Sequence, residues 1–193
     1  MNLTAFLFYV IITSITPGPS NLLIMNEARY YGLRRSMRFN SGIITGFVVL
    51  GLVTTFLTSK LYHWLPLIEP YFKIIGAVYL MYLAWKIAFS SKKKAEDGEL
   101  EIQSSFLSGL LFQVLNVKSI LYFLTTMSTF ILPYSETLKT TFLFIFLTIF
   151  LGCLCLLLWA VFGSVFKKIF VKYDKQINIV MSILLIYCAI EIF

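Results

Sequence analysis

The sequence predicts an all-α polytopic membrane protein with six transmembrane helices. Of the 193 residues, 59% are apolar and only 13% are charged, which is too few charges to cover a water-facing surface. Several uncharged stretches also reach the roughly 20 residues that a transmembrane helix needs. None of these stretches alternates apolar and polar residues, which favours helices over membrane strands. The composition therefore excludes an ordinary water-soluble enzyme.

Six stretches qualify as membrane spans. They cover residues 1–26, 39–59, 74–85, 106–132, 140–166 and 176–190. The third is short and reaches spanning length only with the side-chain stems of Lys73 and Lys86 on either side of it. We expect one membrane domain over residues 1–193, in which 1–90 and 106–193 form two three-helix units and 91–105 forms a cytoplasmic linker.

Basic residues divide the connecting loops into two groups. Twelve Lys and Arg residues lie in the loops after the first, third and fifth spans, whereas only three lie in the loops on the other side. The positive-inside rule places the richer side in the cytoplasm, so both termini are expected outside. Because orientation accounts for the net charge of +7, we do not expect a nucleic-acid partner.

Each half has three spans, which is an odd number, so the second half crosses the bilayer in the opposite direction to the first. We therefore expect an inverted 3+3 repeat. Residues 82–87 align with 187–192, and Gly46 aligns with Gly152. This similarity is weak, and chance agreement among apolar residues is the alternative explanation. Many secondary transporters are nevertheless built from such repeats. Gly42 and Gly46 also form a small-xxx-small pair, which predicts close helix packing.

Each half contains one irregular point near its start. In the first span, Pro17 and Pro19 flank Gly18, which removes backbone donors and must kink or open the helix. In the fourth span, the run Asn116-Val117-Lys118 places an amide and a cation inside an apolar stretch. Freed backbone groups cannot face lipid, so these breaks should face protein or a polar cavity. Paired breaks of this kind predict a transport site.

Lys118 is the most informative single residue. It lies about 18 Å along a helix that starts at Phe106, too deep for its ammonium to reach water easily, and a lysine at mid-bilayer costs about 3 kcal/mol. We expect an interior partner such as a helix carbonyl, a carboxylate or the carboxylate of a substrate. A structural lysine that ties broken backbone together is the alternative. Asn21 and Asn116 are expected to bind each other, a zwitterionic substrate or a neighbouring helix.

Other polar residues are weaker candidates. Glu27 is the candidate for ion coupling and could pair with Arg29, Arg34 or a proton, although a solvated carboxylate is the favoured interpretation. The three cysteines lie in apolar stretches without metal-like spacing, so we expect buried thiols and no metal site; they are Cys153, Cys155 and Cys188. No catalytic motif is found, and we expect neither an enzyme nor a cofactor.

Three motifs resemble the LysE/RhtB family of amino-acid exporters. They are residues 16–21 in the first span, 76–86 in the third and 109–118 in the fourth, and the resemblance extends over essentially the whole chain. Val117, residues 128–133 and the last span are most similar to the cysteine/O-acetylserine exporter branch. The chain departs from the usual family pattern at Val117, where a proline is common, and at Phe47, where many relatives carry an acidic residue.

The resemblance implies ion-coupled secondary export of small amino acids from the cytoplasm across the bacterial inner membrane, without ATP hydrolysis. Cysteine and O-acetylserine are the expected substrates, and the proton is the expected coupling ion. The two halves would rock about a substrate site made by Pro17, Gly18, Pro19, Asn21, Gln113, Asn116 and Lys118. Export of homoserine, threonine, a basic amino acid or a cation remains an alternative, as does a non-transporting scaffold subunit. Assembly into a homo-oligomer is left open.

Overall fold

The computed structural model describes residues 3–89, 105–135 and 137–191, without the side chains of 57–69, 72 and 171. Over these ranges the chain is helical and contains no strand, which confirms the predicted all-α class. Most of the predicted linker, 91–104, and the chain ends lie outside the described residues. The helices are α1 (Leu3–Ile15), α2 (Pro19–Ala88), α3 (Phe106–Val114), α4 (Val117–Thr125), α5 (Leu138–Val165), α6 (Lys167–Lys172) and α7 (Asp174–Glu191).

Two of the described helical stretches are long and apolar enough to cross a membrane, namely Pro19–Phe56 within α2 and the whole of α5. A third is formed if α3 and the stretch Val117–Tyr134 are counted as one span, which is bent by 53°. Residues 126–131 continue α4 as a π-helical turn, and a 3-10 turn follows it. α1 is apolar but shorter. This bend coincides with the second break predicted from the sequence, and the first predicted break lies between the end of α1 and the start of α2.

α2 changes direction at Gly32. The backbone there has φ 75° and ψ 165°, a conformation that side chains with a Cβ rarely adopt. The interruption frees the Leu33 N–H, which donates to Ser164 Oγ at 3.2 Å. A loop was predicted after the first span. This prediction was wrong, because the arginine-rich stretch remains helical apart from Gly32. Arginine is a good helix former, so a single glycine is enough to make the turn.

The parts of α2 lie beside one another and beside α3. Pro19 and Tyr79 border one cavity, and Phe39 and Leu83 border another. Since Phe39 and Leu83 both follow Gly32, α2 also folds back between them, and its end packs against its earlier turns. Glycines allow the closest approaches: Gly42 lies against the backbone of Phe106, Gly46 against Gln113, and Gly109 against the Phe39 carbonyl. This confirms the packing role predicted for Gly42 and Gly46. The order of these contacts shows that residues 39–46 run parallel to α3.

The two ends of the helix bundle have different chemistry. At one end, which we call the basic end, Arg29 meets Asp174, Leu33 meets Ser164, and Ala84 accepts a hydrogen bond from Ser182. At the opposite end, aromatic rings from α1 pack against those from later helices, as in the edge-to-face pair Phe6–Phe144 with ring centres 5.5 Å apart. The two helix breaks lie between these ends.

Candidate functional site

The first break lies between α1 and α2 and is held by side chains from the protein interior. α1 ends at Ile15 and α2 begins at Pro19, with Gly18 extended between them. Asn21 Nδ2 donates to the carbonyls of Ser14 and Thr16 at 2.9 and 2.8 Å, and Trp159 Nε1 donates to the Ile15 carbonyl at 3.2 Å. The carbonyls freed at the end of α1 therefore have protein partners, as a break inside a membrane requires.

The second break separates α3 from α4 at Leu115 and Asn116. Asn116 is the N-cap of α4, and its Oδ1 accepts a hydrogen bond from the Lys118 N–H at 3.1 Å. Its own N–H donates to the Gln113 carbonyl at 3.1 Å. The break thus forms without the proline that the family pattern would place at Val117, because the asparagine cap stabilises the start of the new helix.

A chain of buried hydrogen bonds joins the two breaks. Asn116 Nδ2 donates to Ser20 Oγ at 2.6 Å, and Ser20 Oγ in turn donates to Gln113 Oε1. Gln113 Nε2 then donates to Ser119 Oγ at 2.8 Å. All four side chains are buried. One expectation was a hydrogen bond between Asn21 and Asn116. In the structure Ser20 connects the two breaks instead.

Lys118 extends from the start of α4 to the first break. Its ammonium donates to Thr16 Oγ1 at 3.2 Å and to the Thr16 carbonyl at 3.5 Å. A Cβ at position 18 would lie 2.9 Å from Lys118 Nζ, so Gly18 leaves room for the lysine side chain. The ammonium thus contacts the broken backbone just after α1, which fits both the expected carbonyl partner and the alternative of a structural lysine. Both hydrogen bonds are long, so they are weak and the ammonium retains capacity for a stronger acceptor.

A small central chamber lies at the meeting point of the breaks. Its volume is about 40 Å³, enough for roughly three water molecules but not for an amino acid. Most of the predicted site residues line it: Gly18, Pro19, Asn21, Gln113, Asn116 and Lys118. Pro17 does not line this chamber. Ser20, Ser119 and Tyr122, which the sequence analysis did not select, line it as well.

Phe47 forms part of the wall of the central chamber. Its ring lies against Gly152 and packs near Tyr122 and Phe123, with ring centres 5.8 and 4.7 Å away. The family resemblance gives many relatives an acidic residue here, whereas this chain presents an aromatic surface. An apolar wall beside polar helix starts suits a ligand with one apolar side.

A larger cavity, which we call the vestibule, leads from the chamber toward the end of the bundle opposite the basic end. Its volume is about 550 Å³, and Lys118 borders both spaces. Pro17 and Thr16 line it near the first break, and Glu191 lies at the end of α7. In this conformation the vestibule, rather than the chamber, has room for an amino acid.

Electrostatics favour a negative group at the centre. α2 and α4 both begin there, and the N-terminus of a helix carries partial positive charge together with N–H groups that lack an intrahelical acceptor. The Lys118 ammonium adds a full charge at the same point. The arrangement can therefore hold a carboxylate, while the side-chain oxygens of Gln113 and Asn116 can accept from an ammonium group.

Glu27 is buried, so its interpretation as a solvated carboxylate was wrong. It lines a separate cavity of about 40 Å³ together with Asn26, Lys86 and Ser108. The helix that was expected to end here continues to Gly32 and carries Glu27 into the protein. The burial predicted for the cysteine thiols is confirmed for Cys155 and Cys188, whereas Cys153 is half-buried.

A polar cluster at the basic end was not predicted from the sequence. The Arg29 guanidinium is only 1% exposed, donates to Asn178 Oδ1 and, at 2.7 Å, to Tyr30 Oη, and lies 3.6 Å from Asp174. Tyr30 Oη is also 3.1 Å from Asp174 Oδ1. Arg29 was expected in a solvated loop. Its burial depends on α7 packing across α2, which no local pattern reveals.

Comparison with known proteins identifies the family. The family model described as "LysE type translocator" matches residues 11–193. The chain is 38% identical over 191 residues to proteins named cysteine/O-acetylserine efflux protein from Escherichia coli (strain K12), Shigella flexneri serotype 5b and Shigella sonnei, covering 99% of this chain and 97% of each relative. No solved structure matches the chain. The two helix breaks and the polar chamber between them thus lie in a transporter, and the chain belongs to the LysE-type translocator family.

Proposed function

We propose that this protein is a secondary exporter of small zwitterionic amino acids, with cysteine and O-acetylserine as the substrates. The observation that carries the proposal is the hydrogen-bonded junction of the two helix breaks around Lys118. The relatives named cysteine/O-acetylserine efflux proteins supply the substrate class. The aromatic wall at Phe47 fits small substrates without a second charge better than basic amino acids or cations.

The substrate carboxylate binds Lys118 and the N-termini of α2 and α4 in this proposal. The ammonium group binds the amide oxygens of Gln113 and Asn116. The long contacts of Lys118 to Thr16 support this role, because a carboxylate offers the ammonium a stronger acceptor than a hydroxyl or a carbonyl. Pro17 and Pro19 contribute indirectly by keeping the first break open, and Asn21 contributes by capping it.

The topology we propose is six spans in two inverted halves, 1–90 and 106–193, with both termini outside the cytoplasmic membrane. The basic end then faces the cytoplasm. Helix contacts support this arrangement: residues 39–46 run parallel to α3, whereas Gly51 lies near Ile149 and Phe47 near Gly152, so the same stretch runs antiparallel to α5. The vestibule opens on the outer side in this orientation.

Transport proceeds by alternating access between the halves. In the described conformation the vestibule is open, and the Arg29–Asp174 contact holds α2 to α7 at the basic end. We propose that this contact opens in the inward-facing state, when the central chamber enlarges to admit a substrate. The chamber is too small for an amino acid in the present state, which supports a conformational step.

Proton coupling is assigned to Glu27 in this proposal. Its carboxyl group is buried and lies two helical turns after Ser20, and it shares a cavity with the Lys86 side chain. A buried carboxyl group that exchanges a proton would link substrate export to the proton gradient without ATP. If the acidic residue that many relatives carry at position 47 couples protons, the coupling group of this chain must lie elsewhere, because Phe47 cannot exchange a proton.

The test is efflux of radiolabelled substrates from bacterial cells with and without the protein. Cysteine and O-acetylserine are compared with threonine, homoserine and lysine under equal preloading. Faster loss of cysteine and O-acetylserine than of the other three supports the proposal. Faster loss of lysine or threonine instead assigns another substrate, and equal rates with and without the protein would favour a non-transporting scaffold subunit.

A further inference from the structure

The vestibule has a feature that the central chamber lacks, which is a pair of opposite charges on its walls. Lys118 borders its inner part and Glu191 lies at the last turn of α7. Hydroxyl groups of Thr16, Thr125 and Tyr187 line the same space. At about 550 Å³ the vestibule is large enough for a whole amino acid together with water molecules.

The two charges face the same cavity without meeting. Lys118 lies at the start of α4 and Glu191 in the last turn of α7, and both border the vestibule. The described residues nevertheless contain no direct ion pair between them, and the ammonium instead contacts Thr16 at 3.2 and 3.5 Å. A cation and an anion that face one cavity from separate walls are complementary to a ligand that carries both charges.

We propose that the vestibule is a second binding site, in which a zwitterionic α-amino acid places its carboxylate on Lys118 and its ammonium group on Glu191. The inference rests on the proposed function and adds a step to it. Because Lys118 borders both spaces, the substrate carboxylate stays on one ammonium group while the rest of the molecule moves outward. Glu191 then replaces the amide oxygens of the chamber as the partner of the substrate ammonium.

Equilibrium binding of radiolabelled cysteine to the purified full-length protein tests this site. Glu191→Gln removes the charge but keeps the shape, and Glu191→Asp keeps the charge. Glu99→Gln, which changes a carboxylate of the 91–105 stretch, is the matched control. We expect Glu191→Gln to raise the Kd for cysteine about tenfold, within the range of a charge-assisted hydrogen bond, and Glu191→Asp to recover most of the affinity.

A second ligand separates a binding role from a structural one. N-acetylcysteine has the carboxylate but no ammonium group, so its weaker binding should be the same with and without the Glu191→Gln change. Equal loss for both ligands would mean that Glu191 supports the fold, and unchanged cysteine binding would also overturn the inference. Absence of cysteine binding to the unchanged protein would overturn the proposed function itself.

Protection from a thiol reagent provides an independent measurement. Leu184 borders the vestibule but not the central chamber. In a protein with the three native cysteines replaced by serine, a membrane-impermeant maleimide should label Leu184→Cys, and O-acetylserine should slow the labelling severalfold. Labelling that O-acetylserine leaves unchanged would place the ligand elsewhere and overturn the inference.

Discussion

Arg29 of α2 and Asp174 of α7 lie 3.6 Å apart at the basic end of the bundle, and the Arg29 side chain is almost completely buried. Asn178 and Tyr30 accept hydrogen bonds from the same guanidinium nitrogen, Nη2. The other two nitrogens, Nε and Nη1, have no partner among the described residues. The contact joins the two halves of the chain through a buried charge that is only partly satisfied.

Asp174→Ala should destabilise this closed end. Removing the carboxylate leaves the buried guanidinium without its counter-charge, and breaking such a pair costs about 3 kcal/mol. We expect a lower thermal unfolding midpoint in detergent and a larger fraction of molecules open at the basic end. Labelling of Leu184→Cys from the outer side should slow, because the vestibule closes when the opposite end opens.

Lys175→Ala is the control for Asp174→Ala, since Lys175 is an exposed neighbour in the same turn of α7. The double exchange Arg29→Asp with Asp174→Arg should recover part of the lost stability. If Asp174→Ala behaves like Lys175→Ala in both measurements, the ion pair does not hold the basic end closed.

Ser20→Ala should weaken the junction between the two breaks. Among the described residues, Ser20 Oγ is the only atom that bonds both Asn116 Nδ2 and Gln113 Oε1, and the change leaves these buried groups without that partner. We expect a loss of about 2 kcal/mol in the free energy of unfolding, together with slower export. Ser41→Ala is the control, because Ser41 is partly exposed on the same helix and bonds only a local carbonyl. Equal stability of the two variants would contradict the importance of the junction.

Gly152→Ala should introduce a collision with the Phe47 ring. An added Cβ would meet that ring directly, and an aromatic side chain between Tyr122 and Phe123 has little freedom to move. We expect a destabilisation of about 1 to 3 kcal/mol, measured by thermal unfolding. Phe47→Leu in the same protein should relieve most of it. Additive effects in the double mutant would show that the two residues are not coupled.

Glu27→Gln should separate transport from its energy source. If Glu27 carries the coupled proton, the variant in liposomes still moves cysteine down its own gradient but is no longer accelerated by an imposed pH gradient. Flux with and without the pH gradient gives the measurement, and Glu99→Gln is the control. Retention of the acceleration by Glu27→Gln would assign coupling to another group.

Local sequence predicted the breaks because their causes are local. Two prolines around Gly18 cannot continue a helix, and Asn116 two residues before Lys118 interrupts an apolar stretch. Together with the family resemblance, the same patterns predicted a site whose residues, apart from Pro17, all line the chamber. A contact between Lys118 and a backbone carbonyl was among the predicted alternatives, because the cost of an ammonium inside the membrane limits the choices.

The features that sequence reasoning missed depend on contacts between distant segments. Burial of Arg29 and Glu27 requires the helix to continue past its apolar stretch, turn at Gly32 and pack against α7. The local sequence indicates only that Ser20 lies at the start of a helix after a break. Its role follows from the position of Gln113, which is 93 residues away.

Binding of radiolabelled cysteine to purified Lys118→Met, compared with the unchanged protein and with Lys175→Met, tests the central claim most directly. The account predicts that Lys118→Met inserts and folds normally but loses at least tenfold in affinity, since no other full positive charge lines the chamber or the vestibule among the described residues. Lys175→Met should bind as the unchanged protein does. A correctly folded Lys118→Met protein that binds and exports cysteine normally would contradict the account.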